Sequence, residues 1–307
     1  MTYAVEDLTE ITTSFLRSPR QFIGIPLALI GAVLLSLGAQ LQHRGVTKVE
    51  RNSGVQATAG LNPRQLVALL TRPSWVFGTL MLGLAIVFQL SALWFAPLIL
   101  VQPLGAIALV ITSILNARIH RVELNRASIV AIAMCVVGVG LFVTLAGLFA
   151  VERPVTDDQL RTILLLLGAV IVVFAIAFVT LRKRFKAIFY IIAAGFIYGF
   201  VATLAKVVLS RIQAENFEWL TLVCVLALLA GTAIGGYFVQ TAYSSGPPDL
   251  VIAGLTVIDP MVAVVIGIVV LGEASQAPLW AVAGFVLAGA IAVWGVFQLA
   301  RHHPQSE

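Results

Sequence analysis

The chain has 307 residues, of which 60% are hydrophobic and 11% charged, and its mean hydropathy is +1.03. A soluble domain carries about 25% charged residues, so the composition excludes a soluble globular enzyme, a disordered chain and a fibrous one. What remains is an all-α, polytopic membrane helical bundle, because a span takes about 20 apolar residues and little chain is left for a soluble domain. The net charge of +5 would raise nucleic acid in a soluble protein. Here it reads as basic cytoplasmic loops, and no nucleic-acid partner is expected.

The first twenty residues, MTYAVEDLTEITTSFLRSPR, are acidic and polar where a cleavable signal peptide would be basic and then apolar. The first apolar segment begins near Phe22 and is expected to act as an uncleaved insertion signal. Hydropathy predicts nine spans, at 22–42, 74–95, 97–117, 127–150, 161–181, 187–210, 219–241, 249–271 and 278–299. The second and third come from one uncharged stretch between Arg72 and Arg118, which Pro97 divides. Ser244-Ser245-Gly246-Pro247-Pro248 divides the seventh from the eighth. Within loop 43–73, Asn62-Pro63 carries helix-start signals, and the short apolar segment after it is expected to lie on the membrane surface.

The chain thus divides into an extracytoplasmic segment 1–21, a first half 22–150 of four spans that includes loop 43–73, a fifth span with its flanking loops over 151–186, a second half 187–300 of four spans, and a tail 301–307. Thirteen lysines and arginines fall in loops 43–73, 118–126 and 182–186 and in the tail, against five on the other faces, with Lys206 inside a span. The positive-inside rule then puts the first set in the cytoplasm of a plasma-membrane protein, with the N-terminus outside and the C-terminus inside.

A shift of 150 residues aligns Ala96-Pro97-Leu98-Ile99-Leu100-Val101 with Gly246-Pro247-Pro248-Asp249-Leu250-Val251, and Glu123 with Glu273. The helix following each block is rich in small residues, Gly138 and Gly140 in one and Gly284 and Gly289 in the other, as close helix approach in lipid requires. Span three therefore corresponds to span eight, five spans on. An odd offset makes the two copies enter the membrane in opposite directions. Two inverted-topology halves are a common architecture of secondary transporters, with the substrate site near the midplane.

The repeat, the Gly272-Glu273 pair closing span eight, and the run Leu255-Thr256-Val257-Ile258-Asp259-Pro260 resemble the drug/metabolite transporter superfamily of EamA-type domains. The stretch Ala96-Pro97-Leu98-Ile99-Leu100-Val101-Gln102-Pro103-Leu104-Gly105-Ala106 is similar to the third helix of the NIPA-type magnesium transporters. The resemblance covers about 22–299. It implies alternating access between two inverted halves, and substrates ranging from small polar solutes and cations to lipid-linked sugars.

Asp259 is the leading site residue. It lies near the middle of span eight, where an ionisable group costs at least about 2.5–3.5 kcal/mol, and Pro260 after it removes a helix hydrogen bond. A carboxylate there suits a cation, a proton or an amine; the alternative is a neutral Asp bonded to another helix. Asp249 reads as an acidic entry site or as a helix cap beside Pro247-Pro248. Lys206 either snorkels to the interface or lines a cavity, where it meets an anionic substrate or pairs with Asp259. Gln89, Gln102 and Gln240 carry amides that seek partners in lipid, and Gln102-Pro103 mirrors the break at Asp259-Pro260. Tyr198 offers a hydrogen-bonding hydroxyl, with interfacial anchoring or core packing as the alternative. Glu123 and Glu273, with Pro103 and Pro260, are expected to be structural or gating residues, the two glutamates as salt bridges or caps.

No phosphate loop GxxxxGK[ST], HExxH, GxSxG or CxxC pair is present, so neither an ATPase nor an enzyme nor a cofactor is expected. Cys135 and Cys224 sit in apolar stretches as packing residues. The sequence predicts a secondary transporter of a small polar solute or cation, with proton coupling through Asp259 and passive uniport both open. A flippase for a lipid-linked sugar or phospholipid and a non-transporting accessory subunit are the alternatives, and monomer and homodimer both stay open. Cysteine labelling is expected to place loop 43–73 and residue 301 inside and residue 155 outside; finding 155 and 301 on one side would contradict nine spans.

Overall fold

The structure is a computed structural model and describes residues 19–53, 70–120, 125–181, 186–245 and 248–301. Among them, nine helices are long and apolar enough to cross a membrane. They are α1 (Pro19–Ser53), α2 (Pro73–Phe95), α3, α4 (Arg126–Phe149), α5 (Asp157–Leu181), α6 (Lys186–Gln213), α7 (Trp219–Ser245), α8 (Pro248–Val269) and α9 (Leu279–Arg301). The third is interrupted. It consists of helical Leu98–Val101, a 3-10 turn Gln102–Gly105 and helical Ala106–His120.

The predicted spans stand, with two differences. Loop 43–73 was expected to begin at His43, but α1 continues to Ser53; no proline or glycine pair stops the backbone after Gln42, so the helix carries its charged end beyond the apolar segment. Within span three, Pro103 has no N–H to close an α-turn, and the chain tightens into 3-10 geometry there. The expected surface segment after Asn62 lies outside the described residues, apart from Leu70.

The helices differ in depth within the bundle. The spanning windows of α3 and α6 are each 56% buried, against 17% for α5 and α7. Leu98, Ile99, Leu100 and Val101 are wholly enclosed, so the first turn of α3 sits at the heart of the packing. The most extensive pairings are α1 with α2, α4 with α9, α6 with α7, and α6 with α8, and α1 also packs on α3. Adding five to each number carries α1–α2 onto α6–α7 and α1–α3 onto α6–α8, and exchanges α4 with α9. The packing repeats as the sequence blocks do.

Close approach is set by glycine. Gly24, Gly31, Gly38 and Gly45 recur every seven residues along α1 and face α2; a Cβ on Gly38 would stand 2.9 Å from the Gly78 carbonyl oxygen. On α6, a Cβ on Gly195 would lie 2.7 Å from Ile258 Cβ, and one on Gly199 2.6 Å from Val262 Cβ and 2.9 Å from the Asp259 carbonyl oxygen. This small-xxx-small pair brings α6 against the Asp259 segment of α8. Gly138, singled out in the sequence, does the same for α4 against Ala292 of α9, whereas nothing stands near Gly140.

Gly199→Ala is therefore expected to cost about 1–3 kcal/mol through overpacking, seen as a lowered thermal midpoint in detergent. Gly83→Ala, where nothing lies within 4 Å of the added carbon, is expected to be neutral or stabilising by up to about 1 kcal/mol.

Candidate functional site

The chain breaks between α2 and α3 at Ala96-Pro97. A helix end exposes carbonyls on one side and amides on the other, and buried in apolar packing neither finds water. Here two buried charges of opposite sign supply the partners. Lys206 of α6, 2% exposed, donates from Nζ to the carbonyls of Leu93 (2.8 Å) and Ala96 (3.0 Å). Its third donor goes to Glu152, with which it forms an ion pair. Glu273 accepts from the amides of Leu98 (2.8 Å) and Ile99 (2.7 Å). The cation thus sits on a helix C-terminus and the anion on a helix N-terminus, each where the helix dipole favours it.

Glu273 reaches this position because Gly272 takes φ 70° just past the end of α8, a left-handed turn that glycine adopts without strain. The Val151 amide also donates to the Glu273 carbonyl at 2.7 Å. Burial raises the Glu273 carboxyl above the usual range, and the Ile99 and Leu98 amides, with the Lys206 charge, pull it back down.

Further polar joins lie on the same face. Arg211, 5% exposed, pairs with Asp157 and approaches Glu218 at 3.9 Å. Gln213 donates to the Trp94 carbonyl at 2.7 Å, and Gln159 to the Val270 carbonyl at 2.9 Å.

Deeper in the bundle lies Asp259. Its residue is half-buried, but Oδ1 is shielded from solvent and has no hydrogen-bond partner. It faces α6, within electrostatic reach of Tyr198, whose ring extends to Gly235 and Gly236 of α7. On the other side of α8 is a cavity of about 450 Å³ between α3, α4, α8 and α9. Pro103 and Pro260 both line it, but the break expected at Asp259-Pro260 does not form: α8 runs helical through Pro260, which forgoes one hydrogen bond without ending the helix. That lining is apolar except for Thr256, whose hydroxyl is turned back onto the Ile252 carbonyl at 2.8 Å. Asp259 is not among its residues. Asp259 and Thr256, three residues apart on α8, therefore face different neighbours, and a spacing that would put them on one polar face does not bring them to one space.

The remaining sequence candidates scatter. Gln102 is buried in the 3-10 turn, Gln89 is half-buried and Gln240 is exposed on the bundle surface. Lys206 neither snorkels nor reaches Asp259, because its three protons are taken at the α2–α3 break. Asp249 lies in the first turn of α8, and Glu123 falls outside the described residues. Sequence reasoning missed Glu152, Arg211 with Asp157, and the Gly195/Gly199 pair. A signal for the last was present in the four-residue spacing. For Glu152 the one clue was that a lysine inside a span demands an acceptor.

A bundle of nine apolar helices, with one interrupted span and a shielded carboxylate at its centre, is the construction of a membrane transporter. The family model described as magnesium transporter NIPA matches residues 20–205, more than half of the chain, and the chain belongs to that family. An uncharacterized protein of Corynebacterium glutamicum is 26% identical over 84% of this chain and 88% of its own length. Probable magnesium transporter NIPA4 of Arabidopsis thaliana is 31% identical over 38% of this chain and 32% of its own, and a probable magnesium transporter of Candida albicans is 25% identical over 38% and 31% respectively. The chain thus spans about a third of the length of these magnesium-transporter relatives. No solved structure matches.

Removal of the Glu273 carboxylate strands two buried amides. Glu273→Ala is expected to lower the unfolding free energy by about 2–5 kcal/mol, and Glu273→Gln, which keeps one acceptor, by about half as much. Thermal unfolding in detergent measures both.

Proposed function

We propose that this chain carries a small cation, magnesium foremost, across the plasma membrane by alternating access between two inverted halves of the drug/metabolite transporter type. The N-terminus lies outside and the C-terminus inside on this reading. The observation that carries it is the unpartnered Oδ1 of Asp259. A carboxylate at that depth costs at least about 2.5–3.5 kcal/mol, and a structural carboxylate would be expected to satisfy both oxygens. A cation or a proton is the partner that the position lacks. Membership of the NIPA family and the magnesium named in its relatives support the cation. The five-helix offset in the packing supports the inverted halves.

Among the described residues no three His, Cys, Asp or Glu side chains gather into a metal-binding group. That suits magnesium, which gives up its water reluctantly and is commonly held through one or two carboxylates. Asp259 supplies the charge, and water fills the rest of the shell.

The cavity beside Pro103 and Pro260 favours a second reading, in which its apolar lining takes the acyl chain of a lipid-linked substrate. The two readings part at Asp259. On the cation reading, Asp259→Asn abolishes magnesium uptake into proteoliposomes while leaving the thermal midpoint nearly unchanged, and Asp259→Leu also loses uptake. Normal uptake by both variants would make the residue structural. Unfolding of Asn together with stabilisation by Leu would assign the carboxylate to helix packing.

A further inference from the structure

Several of the polar joins described above share a property beyond their location. Lys206, on the second half, holds Leu93 and Ala96 on the first and Glu152 on the segment that joins the halves. Glu273, on the second half, holds Leu98 and Ile99 and receives Val151 at its carbonyl. Gln213 holds Trp94. All of these tie the second half to the first or to the segment that joins the two, at one end of the bundle. Toward the opposite end, Gln42 bonds Thr79 at 3.0 Å and Ser36 bonds Thr112 at 2.8 Å, and both of these stay inside the first half.

We propose that Lys206 and Glu273, clamped on the Ala96-Pro97 break, are the gating residues of the transport path at the 150–156 and 270–278 face, and that the structure holds that gate shut. This rests on the alternating-access reading. A path cannot open at this face while an ammonium fixes the end of α2 and a carboxylate fixes the start of α3. Release of the clamp frees both helix ends together, because the two hold opposite sides of one break, with Pro97 alone between Ala96 and Leu98.

The clamp is also suited to release. Its partners are main-chain groups at helix ends, which water can satisfy once the face is wet. The opened vestibule would then present the carboxylates of Glu152 and Glu273 against one tethered ammonium. That is an excess of negative charge, which draws in cations. Gly267 completes the fit. A Cβ there would lie 2.8 Å from Glu273 Oε2, so its absence gives the carboxylate its seat.

The test reads accessibility. Val101, wholly enclosed and one turn below Leu98, is replaced by cysteine in a background where Cys135 and Cys224 are alanine. The protein is placed in lipid nanodiscs and reacted with a charged, membrane-impermeant methanethiosulfonate. Lys206→Met removes the ammonium and keeps an apolar stem. Gly267→Ala displaces the carboxylate and keeps its charge. Loss of charged hydrogen bonds from the closed state is expected to raise the labelling rate of folded, monodisperse protein about tenfold in either variant. Unchanged labelling in folded protein overturns the proposal. If Lys206→Met does not fold, Gly267→Ala decides. If neither folds, the clamp is a fold requirement that no transport cycle opens, which also overturns it. Labelling needs no transport, so normal uptake by Asp259→Asn would end the cation reading and leave the gate result intact.

Discussion

A chain that turns between two spans inside packed protein must satisfy its own broken ends. That constraint organises one face of this molecule. Pro97 divides an uncharged stretch long enough for two spans, and the break exposes carbonyls on α2 and amides on α3 that are buried within the bundle. Lys206 and Glu273 answer those demands with charge, and each placement brings a demand of its own. The lysine needs a third acceptor, and Glu152 comes down from the loop after α4. The glutamate needs the chain to turn back, and Gly272 supplies the left-handed residue. Residues from four separate parts of the sequence are thereby held around a single peptide junction.

The same economy governs the helix contacts. Without a hydrophobic drive between helices in lipid, association depends on close packing, and the glycine rows let backbones supply it. The seven-residue row on α1 sets its depth against α2. The Gly195/Gly199 pair presses α6 onto α8 at the level of Asp259, so the helix carrying the buried lysine and the helix carrying the buried carboxylate lie side by side. Tyr198, between those glycines, is placed near Asp259 by that contact.

The spans were legible in the sequence because each is a local property of about twenty residues, and Pro97 and the Pro247-Pro248 pair marked the divisions that hydropathy alone would blur. The role of Gly272-Glu273 was legible in kind, as a cap, but not in its object. Nothing local says that a residue after α8 will reach the start of α3. The pairing of Lys206 with Glu152 was hidden for the same reason, since any of several acids in the loops at that end of the bundle satisfied what the lysine required. The extension of α1 to Ser53 escaped because a hydropathy boundary marks where a helix leaves lipid, not where it ends. Asp259 was found through the rarity of a charge at that depth. Its neighbours were not, because a helical-wheel argument gives an angle on α8 and not the identity of the helix that fills it.

The apolar cavity and the lone carboxylate make opposite demands on a cargo, and their arrangement reconciles them. A hydrated divalent cation gains nothing from an apolar wall, and a single carboxylate cannot replace its water. The cavity, however, lies on the side of α8 turned from Asp259, and its lining includes the two prolines at which α3 and α8 lose a helix hydrogen bond. A proline is where a helix bends most readily. An apolar space beside two such prolines, one in the 3-10 turn of α3 and one inside the continuous α8, leaves the helices room to bend without parting any polar contact. On the cation reading, then, α8 works with two faces. One presents charge toward α6 and the ion's path, and the other has the slack that lets the helix move. The clamp at the α2–α3 break opposes that movement at one end, and α3, the helix it holds, carries the other bend.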